Sequence, residues 1–249
     1  MWSIIPIVCL LSITAPATAA VSVFTDEAAY LNALSSFGYG ATVESFEDDA
    51  AWGSARTTTS GGTHTAPSVG SQGITWTSNN PSSEVTTGDG DPRSGTWMFF
   101  TLPHGSYSDD GNPGNDVPDG FVGNSATTLY GVGGWLDTNT PFAAISLSLD
   151  GAPPVDFGET CDENGENCVG LDIIGTQKSF FGAIDSDGFT TFAYNETEGT
   201  IDDQKFIFAD DFTFATVPEP SSLILVGPPL LLLARGGVRR ALSHVGVRG

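Results

Sequence analysis

The chain has 249 residues, with 30 acidic and eight basic side chains and a formal net charge of −22. A surface this acidic repels nucleic acid and anionic lipid headgroups and attracts divalent cations, although the same charge also keeps an exported protein soluble without any ligand. With 39% hydrophobic residues, the chain is too apolar for a disordered acidic tail, and residues 21–216 suit one domain with a real core.

Residues 1–20, MWSIIPIVCLLSITAPATAA, carry no charged side chain and close with Ala17-Thr18-Ala19, a small-x-small pattern. They read as a secretory signal peptide for the Sec route, with the α-amino group supplying the positive charge that the n-region lacks. After them the charge is lopsided. Residues 21–216 hold 29 acidic side chains against Arg56, Arg93, Lys178 and Lys205, a net of −25, whereas Arg235, Arg239, Arg240 and Arg248 all follow.

The segment FTDEAAYLNAL reads as a helix. Thr25 is placed to cap it, Asp26 and Glu27 favour its positive end, Leu31 and Leu34 share a face, and Gly38 can stop it. The remainder reads as short strands: ATVESFE, QGITWTS, TWMFFTL, ATTLYGVGGWLDT, FAAISLSLDG, GLDIIG, KSFFGAID, FTTFAYN and KFIFADDFTFAT. They are rich in β-branched and aromatic residues, and Gly/Asp/Asn/Pro/Ser clusters separate them. In FTTFAYN, alternation puts Phe189, Thr191 and Ala193 on one side and Thr190, Phe192 and Tyr194 on the other. The pattern predicts an all-β domain, an antiparallel jelly-roll-like β-sandwich with one short N-terminal helix. The polar stretch 53–71 reads as a mobile loop or an edge hairpin.

Candidate chemistry is sparse. His64, His104 and His244 are far apart in sequence, and neither a G-x-S-x-G elbow nor an H-E-x-x-H motif occurs. No catalytic residue is singled out. Paired carboxylates recur at Glu47-Asp48-Asp49, Asp109-Asp110, Asp202-Asp203 and Asp210-Asp211. A glycosidase needs such a pair across its scissile bond, but in so acidic a domain adjacent pairs arise by chance. The loop DDGNPGNDVPDG gathers Asp109, Asp110, Asn112, Asn115, Asp116 and Asp119, the hard oxygen donors that a structural Ca²⁺ takes. Asp89, Asp91 and the DENGEN segment offer further donors, and Arg93 is an alternative partner for such carboxylates. Cys161 and Cys168, spaced C-x6-C in an exported chain, favour a disulfide closing a small loop over a metal site. Trp76, Trp97 and Trp135 lie in strand-like segments and read as core, while Trp52 in DDAAWGSAR reads as exposed and as a candidate glycan contact.

The C-terminus carries the most specific signal. Val217-Pro218-Glu219-Pro220 refuses helix, because each proline pushes its predecessor out of the α region. Residues 221–234 form an uncharged apolar run, short for a membrane span and interrupted by Pro228-Pro229. The basic tail 235–249 opens with Arg235, Arg239 and Arg240, which keep that end cytoplasmic and leave the acidic domain outside.

These three parts in this order resemble the PEP-CTERM sorting signal of Gram-negative bacteria, with Pro218, Glu219 and Pro220 as the signature. The resemblance covers residues 217–249 and implies recognition by an exosortase, processing near the motif, and transient anchoring in the inner membrane. It also implies a final place in the cell envelope, at the surface, or in an exopolysaccharide or biofilm matrix. The run Ser179–Asp185, then FTTFAYN, then DDFTFA resembles, more loosely, the β-rich bodies of such proteins and implies no activity. The resulting expectation is a non-enzymatic exported structural protein. The alternatives are a carbohydrate-binding module and, further off, a secreted glycan or ester hydrolase.

Overall fold

The computed structural model describes residues 21–90, 92–102, 120–138, 144–159, 179–196 and 207–218. Several expectations fall outside these residues. They are the signal peptide, the calcium donors Asp109, Asp110, Asn112, Asn115, Asp116 and Asp119, the pair Cys161 and Cys168, the GLDIIG strand, and Glu219, Pro220, Arg235, Arg239 and Arg240. The chain divides into two units, Met1–Thr216 and Val217–Gly249.

The first unit is built from β1 (Ser22–Phe24), α1 (Glu27–Phe37), β2 (Gly40–Glu44), α2 (Asp49–Trp52), β3 (Arg56–Thr57), β4 (Val69–Ser71), β5 (Ile74–Ser78), β6 (Val85–Gly88) and β7 (Met98–Thr101). It continues with β8 (Gly120–Thr138), β9 (Ala144–Leu149), β10 (Val155–Glu159), β11 (Ser179–Glu196) and β12 (Ile207–Thr216). All the ladders are antiparallel except the two-residue pairing of β3 with β6. Two hairpins turn on residue pairs with positive φ, Gln72-Gly73 between β4 and β5 and Asp150-Gly151 after β9. Two successive left-handed residues twist the turn as the flanking strands require. The 53–71 stretch therefore ends as an edge hairpin.

The strands make one continuous hydrogen-bonded network folded into two layers by β8 and β11. Their pairing runs Ile184↔Gly131, then Phe189↔Leu129, then Thr191↔Asn124. Residues 185–188 of β11 thus oppose only Tyr130, and residues 125–128 of β8 oppose only Thr190. Each strand is bulged opposite a near-straight stretch of the other, so both bend at the same place. Before the bend, β8 joins β5 and the C-terminal half of β11, which continues to β9 and β10. After it, β8 joins β12 and the N-terminal half of β11, which continues to β1. The free side of β12 carries β2 along residues 212–216 and β7 along residues 208–209.

Aromatic rings from the two layers interdigitate. Trp76 of β5 lies 5.4 Å from Phe212 and 5.9 Å from Phe214 of β12, and Phe192 of β11 lies 5.7 Å from Phe214. The Tyr194 hydroxyl donates across the core to the Phe181 carbonyl at 3.0 Å. The architecture is therefore a β-sandwich with an aromatic centre. The bulge also corrects the alternation expected in FTTFAYN. Phe189, Phe192 and Tyr194 are all buried, because the register shift at Thr190 turns Phe189 to the same side. At the bulge the Asp150 carboxylate accepts the N–H groups of Thr190 and Thr191.

A second, smaller core lies on the outer face, where α1 rests on β8 and β11. Tyr30 and Leu34, one turn apart, pack on Phe180, Ile184 and Ala215, and the Tyr30 hydroxyl donates to the Thr213 carbonyl at 3.1 Å. The helix can sit this close because β8 presents Gly131 and Gly133 beneath it. A Cβ on Gly131 would lie 2.9 Å from the Tyr30 hydroxyl and 3.0 Å from a Leu34 methyl. Two details differ from the sequence expectation. The cap is Asp26, not Thr25, since the Asp26 carboxylate accepts from the Ala29 N–H at 2.7 Å. The inward pair is Tyr30 and Leu34, with Leu31 left exposed, because the apolar stripe follows i, i+4. Among the described residues no helix is long and apolar enough to cross a membrane.

Candidate functional site

Most of the chemistry-bearing side chains here are carboxylates, so their partners decide what they can do. Among the described residues eight of them accept backbone N–H groups. Asp26 and Asp48 cap α1 and α2, binding the Ala29 and Ala50 N–H groups. Glu44 accepts from the Phe46 N–H at 2.6 Å, Asp89 from Thr59, and Asp185 from Asp187. Asp150 holds the β11 bulge, and Glu47 and Asp210 hold the loop before β7. Loops leave backbone donors unpaired, and a carboxylate is a strong acceptor for them. Part of the acidic composition thus has a structural cause that the sequence alone did not suggest.

The densest constellation surrounds residues 92–97, PRSGTW. Glu47 accepts from the N–H groups of Thr96 and Trp97 at 2.8 and 2.7 Å. Asp210 Oδ2 accepts from Arg93 and Ser94 at 2.7 and 3.2 Å, while its Oδ1 accepts from the Asp211 N–H. Asp211, held at φ 47°, receives the Arg93 guanidinium at 2.7 Å and the Ser94 hydroxyl at 2.8 Å. Glu27 at the start of α1 receives the other Arg93 amine at 3.1 Å. The guanidinium also lies 4.0 Å over the Trp135 ring, a favourable cation–π geometry. Among the described residues Arg93 therefore pairs with β12 and α1, while most of the loop carboxylates expected as its partners lie outside those residues. The Asp210-Asp211 pair, one of the candidate acid–base pairs, is consumed in fixing this loop to the end of the sandwich.

Asp210 is fully buried, and its carboxyl is pushed up to about 6. Burial is the main cause and the Asp211 charge adds to it, while the N–H groups of Ser94, Asp211 and Arg93 pull it back. In the unfolded chain the group titrates near 3.8. Between those values the folded state holds more proton, so this group's contribution to stability falls as pH rises from about 4 to about 7. The loss is at most about 3 kcal/mol. Asp210→Asn is expected to flatten the dependence of the urea midpoint on pH in that window. Parallel curves for the two proteins would disprove it.

A second buried acid sits at Glu44. Burial pushes its carboxyl up, and the Ser71 hydroxyl, the Phe46 N–H and the Trp52 indole N–H that face it pull it back. This placement corrects the reading of Trp52. The side chain is 0% exposed and lies in the main aromatic cluster, 5.3 Å from Phe46 and 5.7 Å from Phe99. It cannot touch a glycan. The acidic DDAAW context misled because the segment forms a one-turn helix, α2. Its carboxylates face water while Ala51 and Trp52 turn inward.

Of the three tryptophans expected in the core, only Trp76 is fully buried. Trp97 and Trp135 are half-buried, each beneath an arginine. His64 is exposed. Among the described residues no group of three or more His, Cys, Asp or Glu side chains is arranged to hold a metal ion.

No family model matches this chain, and no curated protein matches it. Among solved structures it is similar to TmCBM61 in complex with β-1,4-galactotriose. The identity is 13%, the match covers 57% of this chain and 88% of that chain, and the TM-score is 0.26. A likeness at that level carries no argument about what this chain binds.

Proposed function

We propose that the chain is an exported, non-enzymatic protein of the cell surface or extracellular matrix, sorted by a PEP-CTERM signal in residues 217–249. The observation that carries this reading is the tripartite C-terminus: Pro218-Glu219-Pro220, the apolar run 221–234, and the arginines 235, 239 and 240. The fold gives secondary support. The last strand ends at Thr216, and the next two residues, Val217 and Pro218, are exposed. A processing enzyme would therefore meet the start of the motif without unfolding the sandwich. In this reading the arginines stay cytoplasmic, the apolar run holds the chain in the inner membrane, and an exosortase acts near the motif on the outer side. The acidic β-sandwich, which we read as jelly-roll type, then stands outside, in contact with exopolysaccharide. The non-enzymatic reading draws on the engagement of the described acid pairs by backbone N–H groups and arginines.

The test is intact mass. Wild-type chain and a variant with Pro218, Glu219 and Pro220 replaced by alanine are expressed with and without an exosortase in the host. The wild type is expected to lose mass from its C-terminus only when the enzyme is present, and the variant to keep its full length. Equal masses in all four samples would sink the reading.

A further inference from the structure

Three aromatic rings lie in succession on the surface of the first unit. Phe37 and Tyr39 are stacked with centroids 5.7 Å apart and planes at 28°, and Tyr39 and Tyr130 at 5.1 Å and 25°. Phe37 is 58% exposed, and both tyrosines are half-buried. Rings in full face-to-face contact would be about 3.5–4 Å apart. These are offset like steps, with Tyr39 stacked between the other two and Phe37 the most exposed of the three. The hydroxyls of Tyr39 and Tyr130 have no hydrogen-bond partner among the described residues.

The steps are positioned by backbone features described above. Phe37 and Tyr39 flank Gly38, which ends α1 in the left-handed conformation, and the Tyr39 N–H returns to the Leu34 carbonyl at 3.0 Å. That bond fixes Tyr39 against the small outer core. Tyr130 is the single β8 residue opposite the bulged segment 185–188. A Cβ on Gly188 would lie 3.2 Å from its ring, so the segment carrying Asp185 and Asp187 runs against it.

We propose that the ladder Phe37–Tyr39–Tyr130 binds a neutral glycan. Preorganised aromatic rings accept the C–H faces of a pyranose ring, and free phenol hydroxyls and nearby carboxylates match its hydroxyl groups. Charge settles the class of glycan. With a net of −25 over residues 21–216, a uronate or sulfate chain is repelled, and a neutral chain is not. The inference deepens the matrix reading by naming a partner. It does not depend on the sorting signal, so glycan binding and C-terminal processing succeed or fail separately.

The test uses the full chain in a detergent without sugar headgroups, run in native gels containing hydroxyethyl cellulose, laminarin, β-1,4-galactan or alginate. Retardation by at least one neutral glycan and none by alginate is expected. Phe37→Ala and Tyr130→Ala should each weaken it by about tenfold or more with Tm unchanged, and Tyr130→Phe, which keeps the ring, by less. No retardation by any neutral glycan, retardation by alginate alone, or alanine variants that bind like wild type would overturn the proposal. So would an alanine variant that changes the sedimentation coefficient while glycan binding stays the same, since that would assign the ladder to a second copy of the chain.

Discussion

Phe212→Ala is expected to cost about 3–5 kcal/mol of folding stability, read as a fall in the urea midpoint at constant slope. Phe212 sits at the middle of β12, and its ring meets Phe46, Trp76, Phe121, Phe192, Tyr194 and Phe214 at centroid distances of 5.4 to 6.3 Å. These neighbours come from both layers and from the segment after β2, so none can move into the space without opening a gap elsewhere. Directly below the ring is Gly134 of β8, where an added Cβ would come within 2.5–2.6 Å of three ring carbons. Gly134→Ala alone therefore destabilises by overpacking, by about 1–3 kcal/mol. In the Phe212→Ala background the same methyl fills part of the cavity. The double variant is expected to be more stable than the sum of the two losses implies, with a coupling of about 1 kcal/mol or more. Strict additivity would mean that the ring does not rest on Gly134.

Arg56→Ala is expected to cost about 3 kcal/mol, and Arg56→Lys at least half of that. The side chain is nearly buried, and its fork is filled. Nη1 donates to the Phe46 carbonyl at 2.9 Å and the Thr87 hydroxyl at 3.2 Å. Nη2 donates to the Glu47 carbonyl at 3.2 Å and to Asp49 at 2.7 Å, and Nε also reaches Asp49. The guanidinium lies 4.2 Å over the Trp97 ring. Lysine is a single point donor and cannot replace this planar set.

The position matters because of Phe46, which adopts φ 61°, a region that costs a bulky residue about 1–3 kcal/mol. Glu44 binds its N–H and Arg56 its carbonyl, and together they hold the ring in the core. The ion pair itself contributes little, because the Asp49 carboxylate is 85% exposed. Asp49→Asn should cost under about 1 kcal/mol. Urea unfolding of the three variants checks this order, and an Arg56→Lys protein within 0.5 kcal/mol of wild type, roughly the noise of a surface change, would refute the fork argument.

The strands are readable in the sequence because β-branched and aromatic residues alternate over their lengths, as in ITWTS and AISLSL, and because Gly/Asp/Asn/Pro/Ser clusters separate them, although Gln72-Gly73 and Asp150-Gly151, expected within strands, are turns. What could not be read was long-range pairing. KSFFGAID and FTTFAYN look like two strands separated by a turn, Ser186-Asp187-Gly188, yet they form one bent strand because β8 pairs with both and spans the gap with the single residue Tyr130. The residues GFVGNS, not among the strands expected from the sequence, begin β8 because β5 and β11 flank them on both sides. Trp52 was misread because local polarity reports the face of a helix turned to water and not the one turned inward. The aromatic ladder left no sequence signal, since Tyr130 lies far from Phe37 and Tyr39 in sequence and only the bulge and the end of α1 bring them together.

The position of β12 also bears on mechanics. Any pull on the chain beyond Thr216 enters the first unit through this strand, which is laddered to β8 along one side and to β7 and β2 along the other. A tension along its axis loads both ladders in shear at once. At the opposite end of the described residues β1 has a ladder of just three residues with β11, and Phe24 packs on Tyr30. A stretched molecule is therefore expected to peel from its N-terminal end first, leaving the strand that leads to the C-terminus as the last attachment to yield.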